Sequence, residues 1–306
     1  MKRFLVADIG GTNCRLALCL WDHAHKTITQ EITHPTASLT NSMDLAHALM
    51  QLSATPDGIA IALAGQIQGS CGRTTNANLV IDTNELQPFF PDIPIRLVND
   101  FDAQAYATLT CPCACIRPGN PLPHAPRGVI GPGTGLGSGQ LRWITSSWQP
   151  IAAEGGHMPF PFTPHERAIQ DFFVHKIGRE HISFEDVLAG AGLVLLHAFC
   201  TGESLDAKTI GTHFLKKPSQ TQSLYARFLG RFCQSWMLAS TALGGLWIGG
   251  GIAIQNQELF ANPSFRAELV PTQRTPWTAT IPISCFQTTR VGLIGAATSL
   301  TQPSTP

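Results

Sequence analysis

The chain has 306 residues, a length that suits roughly two domains and excludes a peptide or a small disulfide scaffold. Hydrophobic residues make up 43% and charged residues 13%, the composition of a chain that folds and is neither disordered nor fibrous. With 20 Lys and Arg against 20 Asp and Glu there is no basic field, so neither nucleic acid nor an anionic membrane is an expected partner.

The apolar run Arg3–Ala7, the turn residues Asp8–Asn13 and the alternating stretch Arg15–Leu20 predict a β-hairpin whose tip carries Asp8, Gly10 and Gly11. Strands are expected at Gly58–Leu63 and Ile93–Val98, followed by a helix over Asp102–Leu109. Residues 110–127, rich in Cys, Pro, Gly and Asn, read as a linker. A strand at Gly128–Ile130 then enters the glycine run 131–139, with helices expected over Pro164–Ile177 and Phe184–Phe199. Phe232–Gln257 carries no charge, but Gly244-Gly245 and Gly249-Gly250-Gly251 divide it, which predicts a buried helix (Phe228–Leu243) and a short strand (Leu246–Ile248) in place of a membrane span. A last strand, Ile281–Phe286, and a helical patch, Gly292–Leu300, complete the pass.

The nine Cys are odd in number, and the start Met-Lys-Arg-Phe-Leu-Val-Ala-Asp meets a carboxylate before any secretory core develops; a reduced, cytoplasmic protein is expected. Cys111-Pro-Cys-Ala-Cys115 lacks the spacing of a zinc knuckle and reads as free thiols in a loop.

Glycine turns directly after apolar strands suit phosphate, because several backbone N–H groups can converge on an anion there. Gly10-Gly11-Thr12, the 131–139 run and Gly249-Gly250-Gly251 are three such turns, and neither the Walker nor the dinucleotide spacing is met.

Asp8-Ile-Gly-Gly-Thr-Asn-Cys-Arg-Leu-Ala-Leu18 resembles the first phosphate motif of the hexokinase, heat-shock chaperone and actin ATPase superfamily, and within it that of the ATP-dependent bacterial glucokinase family. Gly131–Gly137 is similar to the second phosphate motif and Leu246–Ile252 to the adenosine motif. Leu97–Phe101, Ala153–His157, Phe184–Gly190 and Gly292–Ala296 extend the resemblance in family order along most of the chain.

The resemblance implies an α/β, two-lobed actin-like ATPase (ribonuclease H-like) fold with a central cleft, residues 1–109 and 288–306 forming the small lobe and 110–287 the large one. The implied reaction is ATP-dependent phosphorylation of D-glucose at its 6-hydroxyl. By the same resemblance Asp100 is the general base; Asn76, Asn99, Asp100, Glu154, His157 and Glu185 bind the sugar. Asp8, Gly10, Gly11, Thr12, Asn13, Gly133, Thr134, Gly135, Gly249, Gly250 and Gly251 bind ATP and its phosphates, and Asp8 holds Mg²⁺ through water. Asp102 can serve as helix cap and so frees Asp100 for substrate, while Arg15 reads equally as a phosphate contact or an exposed strand residue. A homodimer is the expected assembly. The alternatives are a kinase for mannose, fructose or N-acetylglucosamine, or a non-catalytic sugar-sensing regulator. The zinc motif of the related sugar kinase and repressor group is missing, and Ser138 stands where the family more often has an apolar residue.

Overall fold

The computed structural model describes residues 1–22, 26–52, 55–75 and 77–303. Two compact units divide the chain: Met1–Cys111 with Trp143–Ile151 and Arg290–Pro306, and Pro112–Arg142 with Ala152–Thr289.

The first unit begins with three antiparallel strands, β1 (Lys2–Ile9), β2 (Asn13–Trp21) and β3 (Lys26–Pro35). After helix α1 (Ser42–Met50), β4 (Gly58–Leu63) pairs parallel to β1. A small antiparallel sheet follows, of β5 (Gly65–Gln68), β6 (Cys71–Thr74) and β7 (Val80–Asp82). Helix α2 (Thr83–Leu86) leads to β8 (Ile95–Asn99), parallel to β4, and to α3 (Asp100–Ala107). The main sheet has the order β3-β2-β1-β4-β8.

Both faces of this sheet are covered, which is why β1 and β4 read as continuous apolar runs. Leu5, Ala7 and Ile9 pack with Leu45 and Leu49 of α1 on one face. Phe4 and Val6 pack on the other with Ala103 of α3 and with Leu293, Ala296 and Ala297 of the last helix. The pairings Asp8–Ala62 and Ala62–Val98 set the C-terminal ends of β1, β4 and β8 side by side. That edge is where ligands bind in open α/β sheets.

The second unit holds β9 (Cys113–Arg117), β10 (Arg127–Pro132) and β11 (Leu136–Ile144) as far as Arg142, while β12 (Ser147–Ile151), next in the chain, belongs to the first unit. Helices α4 (Arg167–Ile177), α5 (Phe184–Leu188), α6 (Gly190–Thr201), α7 (Ala207–His213) and α8 (Gln220–Ser240) precede β13 (Gly245–Ile248). Then come α9 (Gly251–Gln255), α10 (Glu258–Ala261), α11 (Pro263–Ala267) and β14 (Ile283–Phe286), before α12 (Val291–Ser299) returns to the first unit. The sheet order is β12-β11-β10-β13-β14-β9, and its core joins Ile130, Leu246 and Ile248 to Phe184, Phe228 and Phe232.

Several sequence expectations change. Residues 110–127 are not wholly linker: they contain β9, an edge strand on which Cys113 and Cys115 are exposed while Cys111 is buried. None of the nine Cys is in a disulfide. The glycine run is a turn only at Gly133–Gly135, since Gly131 ends in β10 and Gly137 and Gly139 belong to β11. The single helix expected over Phe184–Phe199 is two, because Ala189 is extended (φ −72°, ψ 171°). Helix α8 ends where Thr241 turns left-handed (φ 49°). It contains Arg227 and Arg231, and no helix among the described residues is long and apolar enough to cross a membrane. Trp143–Ile151, expected in the large lobe, groups with the first unit, where the Trp148 N–H donates to Gln302 Oε1 (3.3 Å). The strands β3 and β5–β7 had no counterpart among the sequence expectations.

Candidate active site

In the first unit, Asp8 is the penultimate residue of β1, on the face covered by α12. Gly292, in the first turn of α12, makes room for it: a Cβ there would lie 2.5 Å from Asp8 Cγ and Oδ2. Burial holds the Asp8 carboxyl above the usual carboxylate range, Arg15 opposite it on β2 pulls it down, and Glu31 pushes it up again. Arg15 thus faces a carboxylate, which neither reading of it from sequence anticipated.

Asp100 is the first residue of α3, directly after β8. Burial and then the neighbouring Asp8 carboxylate push its pKa up to about 7, against the lowering effect of the Phe101 backbone N–H. Asp102, in the same turn, is pushed up to about 6 by burial. The helix cap is not Asp102 but Asn99, whose Oδ1 accepts from the N–H groups of Phe101 (2.8 Å) and Asp102 (3.4 Å). Asn99 Nδ2 donates to the Gly65 carbonyl (3.0 Å), which leaves one of its amide hydrogens for a ligand. Asp100 is relieved of capping all the same, by a different residue from the one expected.

The hairpin tip Gly11-Thr12-Asn13 is exposed. It is shaped by Gly10 N–H donating to Asn13 O (2.9 Å) and clamped by buried Thr36, whose Oγ1 donates to Gly10 O (2.7 Å) and whose N–H donates to Thr12 O (2.9 Å). No sequence signal marked Thr36, because the contact spans two strands. Asn76 lies outside the described residues; near it in the chain, Thr74 Oγ1 donates to the carbonyls of Ala77 and Leu79.

In the second unit, Thr134 and Gly135 are exposed at the tip between β10 and β11. Gly133 N–H donates to Gly135 O (2.8 Å), and the Gly190 N–H at the start of α6 donates to Gly133 O (2.9 Å). Gly249 N–H donates to Ile130 O (2.7 Å), placing the third glycine turn beside the second. Gly250 has φ 75°, and a Cβ on it would lie 2.3 Å from Pro132 O.

Glu185, in the first turn of α5, reaches this turn: its Oε2 accepts from Leu136 N–H (2.8 Å). A Cβ on Gly135 would come 2.9 Å from the same oxygen, so the absence of a side chain at Gly135 leaves room for Glu185. The capping of α5 falls to Ser183 with Asp186, leaving Glu185 free for other partners. Glu154 and His157 flank the buried pair Gly155-Gly156; their side chains are 88% and 62% exposed, with Glu154 Oε2 3.7 Å from His157 Nε2, and so are open to a ligand. Among the described residues no group of three or more His, Cys, Asp or Glu is placed to hold a metal ion.

The Glucokinase family model matches residues 5–303. The chain is 31% identical to a glucokinase of Caulobacter sp. (strain K31), covering 97% of this chain and 94% of that protein. Among solved structures it is similar to a glucokinase from an Antarctic psychrotroph (TM-score 0.85, 26% identity, 98% and 99% of the two chains). At the level of fold it also resembles the glucokinase of Balamuthia mandrillaris, solved in complex with glucose (TM-score 0.78, 22% identity, 96% and 92%). A family model that matches residues 5–303, together with 31% identity over 97% of the chain, shows that this chain belongs to the glucokinase family.

Proposed function

We propose that this chain transfers the γ-phosphoryl group of ATP to the 6-hydroxyl of D-glucose, giving glucose 6-phosphate and ADP. The observation that carries the mechanism is Asp100, a carboxyl at the C-terminal edge of the parallel strands with its pKa near 7. A base poised near the working pH accepts a proton most effectively as the reaction proceeds. Asp100 takes the proton of the 6-hydroxyl as that oxygen bonds to the γ-phosphorus and the bond to the ADP oxygen breaks. Asn99, with its spare amide hydrogen, and Glu154, His157 and Glu185 bind the other hydroxyls, as does Asn76. The exposed turns at Gly10–Asn13 and Gly133–Gly135, with Gly249–Gly251, present backbone N–H groups and the Thr12 and Thr134 hydroxyls to the phosphates.

Magnesium fits this donor set, because a hard cation on a triphosphate needs one or two carboxylates and keeps several waters. Asp8 would hold it, and the ion would neutralise phosphate charge. The two-lobed actin-like arrangement and the homodimer belong to the same proposal, and nine Cys of which none is in a disulfide support a cytoplasmic setting.

Coupled measurement of ADP release over glucose, mannose, fructose and N-acetylglucosamine tests the reading. Glucose-dependent turnover with the highest kcat/KM for glucose is expected; a better substrate in the panel reassigns the sugar, and no turnover with any of them removes the kinase reading. Gly292→Ala puts a methyl group against the Asp8 carboxylate. It is expected to raise the Mg²⁺ concentration for half-maximal rate by about 10-fold, as misplacing one charged ligand contact costs about 1.4 kcal/mol or more. A titration of initial rate against Mg²⁺ checks this.

A further inference from the structure

We propose that Ser138 is a positioning residue that couples the sugar loop to the phosphate turn of the second unit. This rests on the reading of Glu154, His157 and Glu185 as sugar ligands.

The strand β11 is the common support of both groups. Its first residue, Leu136, follows the phosphate turn Gly133–Gly135 directly and donates its N–H to Glu185 Oε2 (2.8 Å). The carbonyl of the same residue faces Gly156, where a Cβ would come within 1.9 Å of it. Two residues along, the buried Ser138 hydroxyl accepts from the Gly155 N–H (2.8 Å). That N–H opens the short turn Gly155–His157, where the helical hydrogen-bond pattern provides no acceptor for it. The far end of the loop is tied as well, because Met158 O accepts from Phe184 N–H (3.0 Å), one residue before Glu185. Turn, strand, loop and α5 therefore form one hydrogen-bonded frame, and Ser138 is its only side-chain link between strand and loop among the contacts described. An apolar residue at this position would leave the buried Gly155 N–H without an acceptor. The side chain touches neither proposed substrate; it sets where Glu154 and His157 stand relative to the turn that grips the phosphates.

In Ser138→Ala the calorimetric Kd for glucose is expected to rise about 10-fold, the loss of one buried hydrogen bond that fixes the loop. The Kd of a non-hydrolysable ATP analogue for the glucose-free enzyme should stay within about twofold, and the tightening of that analogue by glucose in the wild type should shrink. A purely structural role would lower the thermal midpoint while leaving the ratio of the two affinities unchanged. Gly155→Ala attacks the same contact from the loop, since its Cβ would lie 2.7 Å from Ser138 Oγ and 2.6 Å from the Trp236 ring, and the same selective loss is expected. Glu154→Gln and His157→Ala serve as references, each expected to weaken glucose and not the ATP analogue. If these two weaken glucose and Ser138→Ala does not, the coupling role is overturned alone. If all leave glucose affinity at the wild-type value, the loop is not a sugar site and both readings fall.

Discussion

Asp100→Asn is expected to lower kcat by about 10²-fold or more while glucose binding changes only a few-fold, because general-base catalysis is typically worth 10²–10⁴-fold and Asn keeps the shape and hydrogen-bonding edge of the side chain. The wild-type enzyme should show kcat/KM falling tenfold per pH unit below about 7, as Asp100 takes up a proton, and the variant's residual rate should lose that limb. Stability should move the other way. The Asp100 pKa is higher in the folded chain than its ordinary 3.8, so its contribution to stability is fully present below about pH 4 and is lost as pH rises through about 7. At pH 8 the wild-type chain therefore holds a poorly solvated charge beside Asp8. Replacing it with a neutral amide should raise stability by about 1–2 kcal/mol, kept below the full shift because Asp100 is only partly buried from solvent. Stopped-assay kinetics across pH 5.5–8.5, roughly one unit or more either side of that pKa, with thermal melts at both ends, checks the two signs together. Wild-type turnover in the variant removes Asp100 as the base.

Gly250→Ala should disable the proposed nucleotide site through the backbone. At φ 75° an L side chain costs roughly 1–2 kcal/mol, and here the Cβ would also stand 2.3 Å from Pro132 O and 2.6 Å from Gly131 C, atoms of a buried strand that cannot step aside. The turn must move, and α9 with it, because Ile254 N–H bonds to Gly250 O (3.1 Å). A rise of about 100-fold in the Kd of a non-hydrolysable ATP analogue is expected from the sum of strain and displacement, with glucose affinity of the free enzyme within a few-fold of wild type. Equal loss of both ligands would mean that the second unit as a whole had failed to fold, which far-ultraviolet circular dichroism separates from a local effect.

How much of this was legible in the sequence depends on the range of the interaction involved. The first hairpin, the parallel strand at Gly58–Leu63 and the three glycine turns follow from local periodicity and turn chemistry, which act within a few residues, and the ordered motifs were enough for the family. The edge strand β9 was not legible, because Cys113–Arg117 has no alternation of its own and becomes a strand by pairing with β14, far along the chain. The cap of α3 went to Asn99 because the Gly65 carbonyl, brought alongside by a separate strand, orients its amide.

The glycines make the division clearest. Composition and spacing mark Gly10, Gly135, Gly250 and Gly292 alike as members of phosphate or helix motifs, and the sequence by itself determines that the backbone is free to come close to something at each. Only the tertiary structure decides what that something is. At Gly10 a side chain would make no more than ordinary contact, 3.5 Å from Asn13 O, so any requirement for glycine there comes from a ligand. At Gly135 the neighbour is the Glu185 carboxylate, at Gly250 the Pro132 carbonyl together with a positive φ, and at Gly292 the Asp8 carboxylate. Each of those partners lies 50 or more residues away in the chain, and close packing between distant elements, which leaves no local pattern, sets what each position must accommodate.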